Sequence, residues 1–538
     1  MGRQRRPRAA KRSPAPSFIS CQSTQEASSS IAADSDGERD NMIMQEQLRL
    51  LRQESTTDEL SEINTAPLFT YPVLEHARRL ETPISTSPFS QYGLLAGDVQ
   101  SLSEASSEDP RIFYNVATPS SVFVCGSQGS GKSHTLSCIL ENCLIQSDTL
   151  GRLPRPLTGI VFHYDDYASD SRVAPCEAAY LASDPAVSVR VLCSPTNIRA
   201  IEDSYSALSN VTVEALRLDQ ADLNTKRMLE LMAFDRTQPL YAQVIQRILR
   251  DMRLDQQAKG GGFRYYDFTR KLEQEQLSPD QKRGLRQRLD TLQSFMVSGQ
   301  INPFSTTNTG VRVGTDWAPK PGQLIIVDLS CPCITTSMAC ALFNICLSIF
   351  LAQDSSLGRV IALDEAHRYM GETSDCQVLT DSLLAAIRFQ RHLGARIIIS
   401  TQEPTISPKL LDLCSITIVH RFSSPDWLSV LAKHLAGMTK FSNQVGNMDV
   451  DDEESGCDGL RGIDVSPDNP ISDLFSQIVE LRTGEALVFA PSALVSLQGE
   501  DSSEQGHKVI PKKLGHHVLR VVMRARLTAD GGRSIMAS

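Results

Sequence analysis

Residues Ser121–Cys143, SVFVCGSQGSGKSHTLSCILENC, decide how the rest of the chain reads. Four apolar residues, Val122 to Cys125, make a short strand. The loop GSQGSGKS follows from Gly126 to Ser133, and apolar residues then recur at helical spacing. The loop fits the pattern G-x-x-x-x-G-K-[ST] in a strand–loop–helix setting. Its spelling has a chemical reason. Gly126, Gly129 and Gly131 allow backbone angles that a Cβ would forbid, so the N–H groups of Ser127, Gln128 and Ser130 and their neighbours can turn inward. The start of the helix at Lys132, Ser133 and His134 adds its partial positive charge. Such a cradle suits a polyphosphate: Lys132 is expected on the β- and γ-phosphates and the Ser133 hydroxyl on Mg²⁺.

The chain has 538 residues, 41% hydrophobic and 22% charged, which is ordinary for a soluble protein and ample for a multi-stranded core. The net charge of −10 argues against a surface basic all over, while leaving room for a local basic channel. The 13 cysteines are scattered through apolar segments, as at Cys125, Cys340 and Cys346, and read as buried thiols of an intracellular protein. Cys331 and Cys333 form a lone C-P-C with no partner pair at metal-ligand spacing, so no zinc site is expected there. The longest apolar run, Met338 to Ala352, contains Asn344 and is too short to span a bilayer. No membrane insertion and no secretory signal are expected, and the expected location is nuclear or cytoplasmic.

Residues 1–105 are rich in Ser, Thr, Pro and Gln and read as a disordered tail, with a helix around Met44 to Gln53 and some docking of Pro67 to Leu95 as open options. The first dozen residues carry six basic side chains and no acid. They fit a nuclear-import signal, a nucleic-acid-binding arm, the start of a transit peptide, or a solvated tail with no address. The folded part is expected to begin near Asp109, with a first core segment over 106–194. Strands are expected at Gly159–His163 and Val187–Leu192. Between 195 and 300 the pattern turns mainly helical, at Leu223–Phe234, Leu240–Arg253, Tyr266–Glu275 and Pro279–Met296, with an optional strand at Val211–Leu218. The core resumes over 301–538 with Gln323–Asp328, a buried helix at Thr335–Ala352, and strands at Arg359–Leu363, Ala395–Ser400, Ser415–His420 and Glu485–Phe489. Short, β-branched strands alternating with helices predict an α/β fold with a mainly parallel, helix-covered sheet. An acidic stretch, 446–470, reads as a long surface loop.

The apolar strand Arg359–Leu363 runs into Asp364-Glu365, and the carboxyl ends of parallel strands are where such sheets present ligand-binding side chains. Asp364 is expected to share Mg²⁺ with Ser133, and Glu365 to polarise an attacking water. The letters DEAH, Asp364–His367, also occur in DExH-box helicases. More than two hundred residues separate them from the phosphate loop here, and no later Ser-Ala-Thr motif follows, so His367 reads as the start of a helix. Gln402, after the next strand, is placed to sense a γ-phosphate. Arg388 and Arg391 share a helix face just before that strand. They fit either trans-acting cations at a neighbour's site or plain solvated arginines.

Taken together, GSQGSGKS (Gly126–Ser133), LIIVDLS (Leu324–Ser330), VIALDEAH (Val360–His367), RFQRHLGARIIISTQEP (Arg388–Pro404), HRFSSPDW (His420–Trp427) and TGEALVF (Thr483–Phe489) resemble the HerA–FtsK superfamily of P-loop ATPases. The resemblance covers about Pro110 to Pro491 and is nearest to the HerA branch and the conjugation ATPases. It implies a RecA-like core that binds ATP and Mg²⁺, assembles as a hexameric ring, and moves double-stranded DNA through a channel. It also implies that Arg388 and Arg391 act across a subunit interface and that Arg421 contacts nucleotide or that interface. The chain departs from the pattern in two ways: a Ser-rich tail stands where HerA proteins carry a β-barrel, and no basic pore loop is evident. Lys282, Arg283, Arg286 and Arg288 are a candidate track or a solvated helix face. Two other readings stay open, an ATPase that moves or remodels protein and a nucleotide-gated interaction module.

Overall fold

The computed structural model describes residues 62–80, 89–102, 108–169, 173–231, 239–301, 314–354, 356–371, 373–435, 470–500 and 508–531. Of the N-terminal unit Met1–Glu59 it describes only residues 42, 44, 45 and 47, which are helical. The basic N-terminus, most of the expected tail and the acidic loop up to residue 469 lie outside the described residues.

In the unit Leu60–Ser538 the strands, in chain order, are β1 (Leu68–Thr70), β2 (Tyr92–Asp98), β3 (Arg111–Asn115), β4 (Ser121–Cys125), β5 (Gly151–Arg152), β6 (Thr158–His163), β7 (Ser188–Cys193) and β8 (Val211–Ala215). They continue with β9 (Gln323–Asp328), β10 (Arg359–Leu363), β11 (Ala395–Thr401), β12 (Ile416–Val419), β13 (Glu485–Phe489), β14 (Leu494–Glu500), β15 (Lys508–Lys513) and β16 (Leu519–Met523). The helices used below are α1 (Tyr71–Arg79), α2 (Lys132–Leu144), α3 (Ile198–Tyr205), α4 (Thr225–Leu231), α5 (Pro239–Lys259), α6 (Tyr265–Glu273), α7 (Pro279–Phe295), α8 (Thr336–Ala352) and α9 (Ser374–Arg388).

One sheet joins the strands in the order β15-β14-β1-β3-β2-β16-β13-β12-β4-β11-β10-β6-β9-β7-β8, with β5 on β2. From β12 to β8 every pairing is parallel. This half is covered on both faces, as its continuous apolar runs require. Val122, Val124, Val360, Ala362 and Ile398 face a layer that includes α2 and α3. Phe123, Cys125, Ile361, Leu363, Ile397 and Ile399 face the opposite layer, built from α4 to α9. Period-two alternation along each strand thus feeds two cores from one apolar string.

The other half differs from expectation. From β12 through β13, β16, β2 and β3 to β1 the pairings are antiparallel. The fold therefore starts well before Asp109: β1, α1 and β2 belong to it, although they fall within the stretch 1–105 read as a tail. The reason is an aromatic cluster that composition hides. Phe69 stacks on Phe89 with ring centroids 3.7 Å apart, and Tyr92 meets Phe69 and Phe113 edge-on at 5.8 and 5.6 Å. These rings form a small separate core with Ile63, Val73 and Leu74. The segment 195–300 is also less uniform than its periodicity suggests, because α3 and β8 complete the edge of the sheet before α4–α7 begin.

The cysteines behave as read from the sequence. Among the described residues eleven are free, and of these only Cys333 is exposed. No described helix is long and apolar enough to cross a membrane.

Candidate functional site

The phosphate loop leaves β4 at its carboxyl end. Gly126, Gly129 and Gly131 take φ of 152°, 72° and 114°, so the expectation of special backbone angles is met at all three. At Gly126 the space is closed as well, since a Cβ would lie 2.7 Å from the Cβ of His420. The loop is clamped from the neighbouring strands. The N–H and hydroxyl of Ser127 both donate to the Arg421 carbonyl, at 2.9 and 2.8 Å. Gly484 N–H donates to the Ser130 carbonyl at 3.3 Å. His420 sits beneath, its Nδ1–H donating to the Glu485 carbonyl and its Nε2 accepting from the Thr135 hydroxyl, each at 2.9 Å.

Lys132 opens α2 and is 4% exposed. Its ammonium donates to the Ser127 carbonyl at 3.1 Å, closing the loop on itself. Burial pushes it below the usual lysine range, and the carboxylates of Glu365 and Asp364 resist that shift. The lysine and the acidic pair, distant in sequence, therefore face one another.

Topology explains the meeting. β11 lies between β4 and β10, with Thr401 paired to Cys125 and Ile399 to Leu363. Gln402 follows β11 directly and so stands between the phosphate loop and the acidic pair. Its side-chain amide donates to Glu365 Oε2 at 3.3 Å, and its N–H donates to His367 Nδ1 at 3.4 Å. Glu365 adopts φ 47°, ψ 47°, a left-handed conformation that costs a residue with a side chain about 1–2 kcal/mol. Burial, then Asp364, raise the Glu365 pKa, while Lys132, Arg368 and Gln402 draw it back. His367 lies in the short turn Ala366–Arg368 after the pair. Burial pushes its pKa to about 4, so at neutral pH it accepts a hydrogen bond and carries no charge.

Asp364 is 3% exposed, and its Oδ1 has no hydrogen-bond partner. A buried carboxylate oxygen facing a lysine, with the Ser133 hydroxyl at the start of α2, suits a hard divalent cation. The glycine cradle, whose Cβ positions at Gly126 and Gly131 are already filled by His420 and Gly484, suits a polyphosphate held by backbone N–H groups.

The remaining sequence candidates are placed as follows. Gln128 is exposed on the loop crest, and Ser130 is buried with its hydroxyl unpartnered. The His134 ring donates from Nε2 to the Arg524 carbonyl at 2.7 Å, which leaves its backbone N–H as what it can offer a nucleotide. Arg421 grips the loop through its carbonyl and exposes its side chain. Arg388 and Arg391 are not brought to this pocket. They are exposed before β11, whose seven residues put them about 20 Å from its carboxyl end.

Sequence reasoning missed His163, Cys176, His420 and Arg368. His163 and Cys176 both approach Asp364 Oδ2, and Arg368 pairs with Asp165 and Asp166. A polar residue at the carboxyl end of an apolar strand would have flagged His163 and His420.

No family model matches the sequence, and no curated protein matches it. The fold is similar to several solved structures. VirB4 of Thermoanaerobacter pseudethanolicus superposes with a TM-score of 0.40 at 10% identity, covering 80% of this chain and 98% of that one. The plasmid coupling protein TrwB, in complex with the ATP analogue ADPNP, gives 0.41 at 12% identity, covering 84% and 98%. B204, the DNA-packaging ATPase from Sulfolobus turreted icosahedral virus, gives 0.26 at 11% identity, covering 73% and 97%. TrwB has also been solved with ADP and Mg²⁺. At such overlaps the likeness decides nothing about chemistry, which has to come from the pocket itself.

Proposed function

We propose that this chain is an ATP-hydrolysing P-loop motor of HerA–FtsK type, oligomeric and acting on double-stranded DNA. One observation carries the ATPase reading: Lys132, Asp364, Glu365 and Gln402 converge at the carboxyl ends of three adjacent parallel strands. Bound Mg²⁺ would supply charge stabilisation at the phosphoryl oxygens. Ser133 and the unpartnered Oδ1 of Asp364 would hold it. Lys132 would exchange the Ser127 carbonyl for a phosphate oxygen. Glu365, with its pKa raised, takes a proton from water, and Gln402 fixes which way that carboxylate points. Arg388 and Arg391, remote from the pocket of their own chain, are assigned to the pocket of a neighbour, and Arg421 to the rim of its own. The resemblance carried by the sequence motifs favours a DNA track over a protein one.

The test is ATP turnover by the full-length protein across a range of protein concentrations, with and without double-stranded DNA. Specific activity is expected to climb with both and to vanish in Lys132→Ala. Turnover that Lys132→Ala abolishes but that ignores concentration and DNA overturns the motor and keeps the ATPase. Turnover that survives Lys132→Ala overturns both.

A further inference from the structure

Asp364 has a second face that ATP hydrolysis does not use. His163 ends β6, Asp364 follows the adjacent β10, and Cys176 precedes the turn Glu177–Ser183. All three side chains are buried, and their ligand atoms lie within 4.8 Å of one another. His163 Nδ1 is 3.5 Å and Cys176 Sγ 3.7 Å from the same oxygen, Asp364 Oδ2. Neither ring nitrogen of His163 has a hydrogen-bond partner. Buried polar atoms left this way are rare and call for a water or an ion.

For the imidazole the spacing separates a hydrogen-bonded pair from a metal site, while the Cys176 thiol at 3.7 Å is also within S–H···O reach of the same oxygen. A charge-assisted N–H···O bond runs to about 2.7–2.9 Å, well short of the His163–Asp364 distance. A tetrahedral Zn²⁺, with bonds of about 2.0–2.2 Å to N and O and about 2.3 Å to S, sets N and O about 3.4 Å apart and S and O about 3.6 Å apart. The two separations to Asp364 Oδ2 fit those edges, and the third edge lies within 4.8 Å. The support behind the ligands is also in place. Cys176 N–H donates to the Tyr205 hydroxyl at 2.8 Å, and that hydroxyl donates to Asp328 Oδ2 at 2.7 Å. This chain of bonds fixes the cysteine backbone and brings a further carboxylate toward the site.

We propose that His163, Cys176 and Asp364 form a binding site for Zn²⁺ or a similar borderline divalent ion, through Nδ1, Sγ and Oδ2. A thiolate and an imidazole select such an ion over Mg²⁺, and binding releases the thiol proton to solvent. Three protein ligands leave a fourth position for water, and Asp364 Oδ1 stays free on its other side. The inference stands apart from the nucleotide reading, because nothing in it needs Lys132 or the phosphate loop.

The experiment titrates reduced, metal-stripped full-length protein with Co²⁺ as a coloured substitute for Zn²⁺. One equivalent is expected to give intense tetrahedral d–d bands and a sulfur-to-cobalt charge-transfer band, displaced by Zn²⁺ and unaffected by excess Mg²⁺. Cys176→Ser should remove the charge-transfer band, and His163→Gln should weaken binding at least about tenfold. Lys132→Ala should leave the spectrum intact whether or not the protein hydrolyses ATP. X-ray absorption of the zinc-loaded wild type needs no variant and should show one sulfur among N/O donors. A weak octahedral spectrum, a sulfur-free zinc shell, or a charge-transfer band that Cys176→Ser leaves in place would each overturn the assignment.

Discussion

The two ends of strands β4, β10 and β11 are built on opposite terms. At the carboxyl ends, Lys132 and Asp364 are buried, Glu365 is held in a strained backbone conformation, and Gln402 is bonded to it. At the amino end of β11, Arg388 and Arg391 are exposed on two successive helices rather than the single one expected. Arg388 ends α9, the helix breaks at Phe389, and Arg391 lies in the short turn Gln390–Leu393 that stops at the left-handed Gly394. One end is a finished pocket whose charged groups already feel one another. The other presents two exposed cations with no ion pair among the described residues. The difference teaches where a single subunit's chemistry ends: the parallel sheet delivers a base, a lysine and a carboxylate to one edge, and it cannot deliver an arginine from the other.

The sharpest way to test the finished end is Glu365→Gln, which keeps the shape and removes the proton acceptor. Turnover is expected to fall about 10²–10⁴-fold while ATP binding persists, read by single-turnover hydrolysis and nucleotide retention. A fall of only a few-fold would move the base elsewhere on the same edge. The unfinished end is tested by Arg391→Ala. If the arginine stabilises charge in a neighbour's pocket, turnover should drop about 10²–10³-fold. Mixing this variant with Lys132→Ala subunits should restore part of it, because some interfaces then pair an intact loop with an intact arginine. A mixture as inactive as its parts would mean that the two ends do not meet between subunits.

Much of this was legible in the sequence because it was contiguous. GSQGSGKS carries its own backbone geometry, and VIALDE and IIISTQ each spell an apolar strand running into a polar end. What was missed had no local signature. Phe69, Phe89 and Tyr92 are spread among Ser, Thr and Pro at no regular period, so β1, α1 and β2 fall in a stretch that reads as tail, with docking of Pro67 to Leu95 only an open option. Cys176 lies in the connection from β6 to β7, strands that β9 separates in the sheet, and only the fold brings it beside His163 and Asp364. Spacing rules for metal ligands, which weighed only Cys331 and Cys333, do not reach such a set. The arginines were found by their pattern, yet distance along β11, not charge, is what assigns them away from their own pocket.

The smallest effect expected concerns pH, and it again divides the two ends. His420 is fully buried under the phosphate loop, and burial pushes its pKa from an ordinary 6.5 to about 4, against a smaller opposing pull from the Glu485 carbonyl. The folded chain therefore holds it neutral while the unfolded chain protonates it between those two values. Protons bound only by the unfolded state favour unfolding, so the stabilisation is complete above pH 6.5 and disappears as the pH falls toward 4. The span corresponds to about 3 kcal/mol at most. Thermal unfolding across this range should fall less steeply in His420→Gln than in the wild type, whereas Arg391→Ala, at the exposed end, should follow the wild-type slope. His367 titrates in the same direction beside Glu365, so the slope in His420→Gln is expected to shrink without vanishing. Equal slopes in all three proteins would show that the ring beneath the loop is not held neutral, and would remove burial as the distinction between the two ends.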